Sequence, residues 1–166
     1  MWWRQAGAAE TVPTVTQTGT GATGIAYCFG YRKAAGDTWA LASCGGATNQ
    51  GTTTHSVATP TNPGITSGDV LLHLIGLTIS SVSRTSGSIS ATGIAGTYAV
   101  RTTLGTTGGN DVRIVTDDLF VTSGTATAAP VGAGTLSAAS AGGSAILRLR
   151  AVTAPATGFT GWGVPV

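Results

Sequence analysis

Charge is what this chain has least of. Only 14 of its 166 residues are Asp, Glu, Lys or Arg, eight basic against six acidic, for a formal net charge of +2. The pI near 8.8 rests on that small surplus and not on a basic run, so the electrostatic footprint of a nucleic-acid binder is missing. Lys33, Glu10 and Met1 are the single residues of their kinds, which leaves helix poorly supplied. Cys28 and Cys44 are too few for a disulfide framework and read as buried thiols. No apolar run approaches the length of a membrane span, and the opening MWWRQAGAAETV has no secretory core. The expectation is a soluble chain made in the cytoplasm, with no membrane and no nucleic acid among its partners.

The usual signatures of chemistry are missing too. There is no GxxxxGK[ST], GxSxG, HExxH or CxxC. Gly19, Gly21 and Gly24 spell GxGxxG, but with 26 glycines in the chain that spacing arises by chance roughly every second time. A strand pattern follows it, with no helix to present its N-terminus to a phosphate.

What fills the chain instead is Gly, Ala, Thr and Ser, 94 residues of 166. Large apolar residues fall between them in short alternating clusters at low net charge, which is the pattern of a folded chain and not of a disordered one. Threonine favours strands and glycine favours turns, so the fold class expected is all-β.

The organising stretch is Ile65 to Leu77, ITSGDVLLHLIGL. Thr66 to Asp69 make a polar turn, and Val70 to Leu77 then carry apolar residues at odd and even positions alike, as a strand covered on both faces does. This predicts the central strand, with His73 in its middle as a core histidine bonded to a neighbour. Pro60 to Gly64 mark the clearest turn before it. Upstream, strands are expected at Val12 to Thr18, Ile25 to Lys33 with Ile25, Tyr27, Phe29 and Tyr31 alternating, Trp39 to Ser43 and Thr52 to Ala58, with a Gly-rich loop at 45 to 51. Downstream they are expected at Thr78 to Arg84, Ser88 to Ala91, Thr97 to Leu104, Val112 to Val121 with a kink at Asp117 and Asp118, Thr135 to Ala139 and Ala145 to Val152. Thr125 to Ser144 is low in complexity and reads mostly as loop. Roughly ten short strands between Gly-rich turns predict one domain, a β-sandwich or jelly roll over 12 to 152, with an N-terminal arm at 1 to 11 and a C-terminal tail at 153 to 166.

Candidate reactive groups are few. His55 and His73 fall in different strands with no third ligand, a poor metal site. Asp117 and Asp118 point to opposite faces if they lie in a strand, and a bulge or turn there is the expected role, with a calcium site shared with Asp111 or Asn110 as the lesser alternative. Arg148 and Arg150 share one face of the last strand, which predicts a solvated face or a contact with an acidic partner, extended by Arg32 and Lys33 if those strands are neighbours. The expectation is a protein that needs no cofactor and no metal.

The segments NPGITSGDVLLHLIGL, DDLFVTSGT and AGGSAILRLRAV, with YRKAAGDTW upstream, together resemble the small β-rich structural proteins of tailed-bacteriophage virions. That resemblance implies a non-enzymatic virion protein, made in the host cytoplasm and resident in the particle, foremost a capsid decoration or cement protein contacting the major capsid protein or another virion protein. A homotrimer is expected, from the neutral surface and the two-sided apolar strand. The alternative is a tail-fibre or baseplate module binding a receptor or glycan, with Trp39, Tyr98 or Trp162 stacking on sugar, and a small hydrolase ranks third. Trp2, Trp3, Phe159 and Trp162, three tryptophans of four among them, lie in the terminal segments and are expected to anchor partners together with Arg148 and Arg150.

Overall fold

In the computed structural model the described residues are 37–47, 51–79, 81–106 and 112–153, with isolated positions at 14, 16, 25 and 30–32. Eight strands run through them: β1 (Asp37–Ala47), β2 (Thr54–Ala58), β3 (Val70–Leu77), β4 (Arg84–Ser90), β5 (Ile94–Gly105), β6 (Arg113–Gly124), β7 (Val131–Leu136) and β8 (Gly142–Thr153). They form a five-stranded sheet ordered β1-β8-β3-β6-β5 and a three-stranded sheet ordered β2-β7-β4, antiparallel throughout. The two sheets pack face to face, so the protein is an all-β sandwich. No helix of the described residues is long and apolar enough to cross a membrane. The expected terminal arm and tail, and the strands expected at Val12 to Thr18 and Ile25 to Lys33, lie almost wholly outside the described residues.

Strand β3 sits at the centre of the larger sheet, as its two-sided apolar pattern requires. Toward the smaller sheet, Leu71 joins Ile65, Ile89, Leu119, Val121 and Ile146 in one cluster, and Ile75 and Leu77 join Val82, Val115 and Leu136 in another. On its other face Val70 and Leu72 pack with Leu147 and Leu149 beneath Tyr31, Trp39 and Leu41. Burying each of these aliphatic side chains contributes about 1.5–3 kcal/mol, so both faces of β3 are held.

Four details differ from the sequence-based expectation. The low-complexity stretch, in which strand is expected only at Thr135 to Ala139, holds β7 four residues earlier at Val131–Leu136, the middle strand of the smaller sheet. Its glycines follow from what faces them: a Cβ at Gly132 would lie 2.6 Å from the His73 ring, and one at Gly134 would meet the tip of Ile75. Large residues from β3 take the space, so β7 is spelled with small ones and shows no hydrophobic run. Gly45 and Gly46, expected in a loop, belong to β1, where a Cβ on Gly45 would strike the Ala58 carbonyl. No strand forms at the described residues from Thr78 to Ser83, where one is expected, and the strand expected at Ser88 to Ala91 runs instead from Arg84 to Ser90 as β4. Finally, β6 is in unbroken register with β3 at Asp117 and Asp118, and the irregularity falls on the neighbouring strand β5, between Val100 and Thr102.

Candidate functional site

Four of the ten charged residues described are buried inside the fold. Asp69, Asp117, Asp118 and Arg148 are all at least 97% buried, against the strong preference of such groups for water unless paired. Each carboxylate has an arginine.

Asp117 and His73 stand opposite each other on β6 and β3, facing the smaller sheet. From β4, Arg84 reaches across the interior with Nη1, which donates to Asp117 Oδ2 and, at 3.0 Å, to the Tyr98 hydroxyl. The His73 Nδ1 lies 3.6 Å from the same carboxylate oxygen, and neither ring nitrogen has a hydrogen-bond partner among the described residues. This polar cluster separates the two interior hydrophobic clusters and joins the sheets where β4 faces β6.

One residue along, Asp118 points to the opposite face, as strand alternation demands. There its Oδ2 accepts from the Tyr31 hydroxyl at 2.7 Å and from Arg101 Nε at 2.6 Å. Arg101 is the extra residue at the β5 bulge, so the irregularity expected at the aspartates is instead the device that brings Asp118 its cation. The indole of Trp39 donates to the Tyr31 carbonyl at 3.1 Å, fixing residue 31 over the sheet.

The third pair ties a loop to the sheet. Arg148 donates from Nε and Nη2 to Asp69 Oδ2 at 2.9 and 2.7 Å, from Nη2 to the Gly64 carbonyl at 3.1 Å, and from Nη1 to the Pro63 carbonyl. Asp69 Oδ2 also accepts the Thr66 backbone N–H at 2.8 Å. One guanidinium thus holds both ends of the loop leading into β3, whose sharp corners use Gly64 and Gly68 at φ of 68° and 90°. The expectation of a solvated Arg148 is corrected: its face of β8 is the interior one, beside Ile146. Arg150, two residues on, is exposed.

The remaining candidates are dispersed. His55 is fully buried on β2 and donates from Nε2 to the Ser140 carbonyl at 2.8 Å. Trp39 and Tyr98, considered as sugar-stacking groups, are both part-buried and hydrogen-bonded within the fold. Trp2, Trp3, Phe159 and Trp162 lie outside the described residues, as do Asn110 and Asp111. Among the described residues no three His, Cys, Asp or Glu side chains gather as metal ligands. A shallow groove of about 350 Å³ on the outer face of the larger sheet is lined by Gly46, Ala47, Leu74, Gly76, Gly143, Ser144 and Ala145. That lining holds no titratable side chain. The network's members on β4 and β5, Arg84, Tyr98 and Arg101, carry no mark of partnership in the sequence. The available signal is a charge set inside an apolar strand, as in RIVTDDLFV and ILRLR, which demands an opposite charge somewhere in a chain this short of them.

Burial raises the pKa of the Tyr31 hydroxyl strongly, with the negative charge and acceptor of Asp118 adding to it. The Tyr98 hydroxyl is raised by burial and by Asp117, with Arg84 opposing. Both shifts are upward, so the fold holds the neutral phenols. That contribution is full below the unfolded phenol's pKa near 10 and is lost as pH climbs through the folded values. In alkaline titration, Tyr31 and Tyr98 should therefore both ionise above the usual phenol range near pH 10 while the fold lasts, Tyr31 the later of the two. Phenolate absorbance rising fully near pH 10 with the strand spectrum intact would contradict this.

Searches against protein-family models, curated proteins and solved structures found no match to this chain.

Proposed function

We propose that this chain is a non-enzymatic structural protein of a virion, foremost a decoration protein seated on a capsid and bound to the major capsid protein or another shell component. The observation that carries the non-catalytic part is where the reactive groups are. Three of the carboxylates and both histidines are buried, and each of those carboxylates is committed to an arginine that holds one element to another. A general acid or base must reach a substrate proton, and these groups are shut off from solvent. The virion part rests on the resemblance of the sequence segments. It is supported by a neutral Thr, Ser, Gly and Ala surface on a sandwich braced by internal ion pairs, which suits a protein that works by contact. In this reading the protein uses no cofactor and resides in the particle.

The test is add-back. Particles lacking this chain should lose resistance to heat or low ionic strength and regain it when the purified protein is supplied. Particles that neither bind the protein nor change in stability would refute the decoration role.

A further inference from the structure

The larger sheet ends in β5, whose outer edge pairs with no other described strand. Among the described edge strands it is the longest at 12 residues, against 11 for β1, five for β2 and seven for β4. Edges of this length are normally blunted by proline, lysine, inward charge or bulges; IAGTYAVRTTLG contains neither proline nor lysine, and the five residues between its two register shifts are regular. Its one charge, Arg101, is already paired with Asp118 in its own chain. Of the five large hydrophobic side chains left exposed among the described residues, Val100 at 54% and Leu104 lie on β5 and Phe120 at 45% lies on the strand beside it. Among the described residues the edge therefore offers unpaired backbone groups and apolar side chains without repelling an identical edge.

We propose that β5 is a homotypic docking edge, and that its occupant is β5 of a second copy of this chain. The inference rests on the reading of the protein as an assembling structural component and names the surface through which it assembles.

Geometry selects the register. Two bulges, at Ala95/Gly96 and Val100/Thr102, leave Gly96 to Val100 as a regular run between them. Antiparallel pairing of that run with itself about Tyr98 keeps each side chain on the same face as its opposite number. Val100 of one copy then lies against Gly96 of the other, where no side chain competes because a Cβ there would meet the Phe120 carbonyl. Arg101 comes opposite Ala95, so like charges do not face each other. Identical strands paired antiparallel impose a two-fold axis and a dimer, whereas the trimer expected from composition would need a head-to-tail contact.

Sedimentation of the purified full chain tests this with two variants. Val100→Lys should convert dimer to monomer. Val131→Lys, a similar change at an exposed position on β7 of the other sheet, should leave the dimer intact, with circular dichroism checking that both variants fold. The register is read by oxidising a mixture of Thr97→Cys and Ala99→Cys chains, which should cross-link well beyond either variant alone. A monomeric or trimeric wild type, equal behaviour of the two lysine variants, or no excess cross-link in the mixture would each overturn the proposal. A monomer that still occupies particles in large number would remove the edge pairing and leave the virion reading standing, and a dimer absent from particles would do the reverse.

Discussion

Arg148→Ala should cost about 3–5 kcal/mol of folding stability, the range for breaking a buried ion pair from one side. Its guanidinium gives Asp69 two hydrogen bonds to one oxygen and also serves the carbonyls of Pro63 and Gly64. Without it a carboxylate 1% exposed and two loop carbonyls lose their partner together. The effect should spread through the loop, because Asp69 anchors Thr66, and the loop backbone pairs with β6 and the segment after it through Gly68 to Val121 and Ala126 to Ile65. For a domain of this size the melting temperature should fall by roughly 10 °C. Arg148→Lys should recover only part of the loss, since an ammonium cannot present the planar fork that spans carboxylate and carbonyls. Arg150→Ala, on the same strand but exposed, should stay within about 0.5 kcal/mol of wild type. Thermal or urea unfolding checks all three, and equal melting of Arg148→Ala and Arg150→Ala would contradict the clamp.

Arg84→Ala should be similarly costly, about 3–5 kcal/mol, and for a reason that a second substitution exposes. Asp117 is fully buried between the sheets, and Arg84 is its close cation; once that is gone only His73, 3.6 Å away, faces the charge. Asp117→Leu alone should also destabilise, by stranding a guanidinium that is 7% exposed. Replacing both partners with apolar residues, Arg84→Met with Asp117→Leu, removes the desolvated charges as well as their attraction. It should lie well above the sum of the singles and close to wild type. A urea double-mutant cycle measures this coupling, and additive losses would show that the two residues act independently.

How much of the fold is legible in the sequence follows from the physics of each element. The central strand can be read because apolar residues at both parities of a short run require cover on both faces, and its bounds, Val70 to Leu77, agree with the structure. Strands β5, β6 and β8 are also legible from alternation and β-branched content. Strand β7 is not, because its small residues are the complement of His73 and Ile75 on another strand, and complementarity across a sandwich leaves no local trace. The ion pairs are half legible. Alternation correctly sends Asp117 and Asp118 to opposite faces, but their arginines lie 33 and 17 residues away, and only the fold brings them together. Arg148 is misplaced by the same rule because alternation says which residues share a face and not which face is inside. The leucines beside it pack under Tyr31 and Trp39 on the outer side, so both sides of β8 are covered and the usual contrast between wet and dry faces fails.

The most direct test of the central claim, that this sandwich serves by contact in a particle and not by chemistry, is its copy number in purified virions assembled from the genome that encodes it. Quantitative mass spectrometry against the major capsid protein supplies that ratio. A shell-decorating role predicts hundreds of copies per particle. A dozen or fewer would move the protein to the tail, and its absence from purified particles would contradict the account.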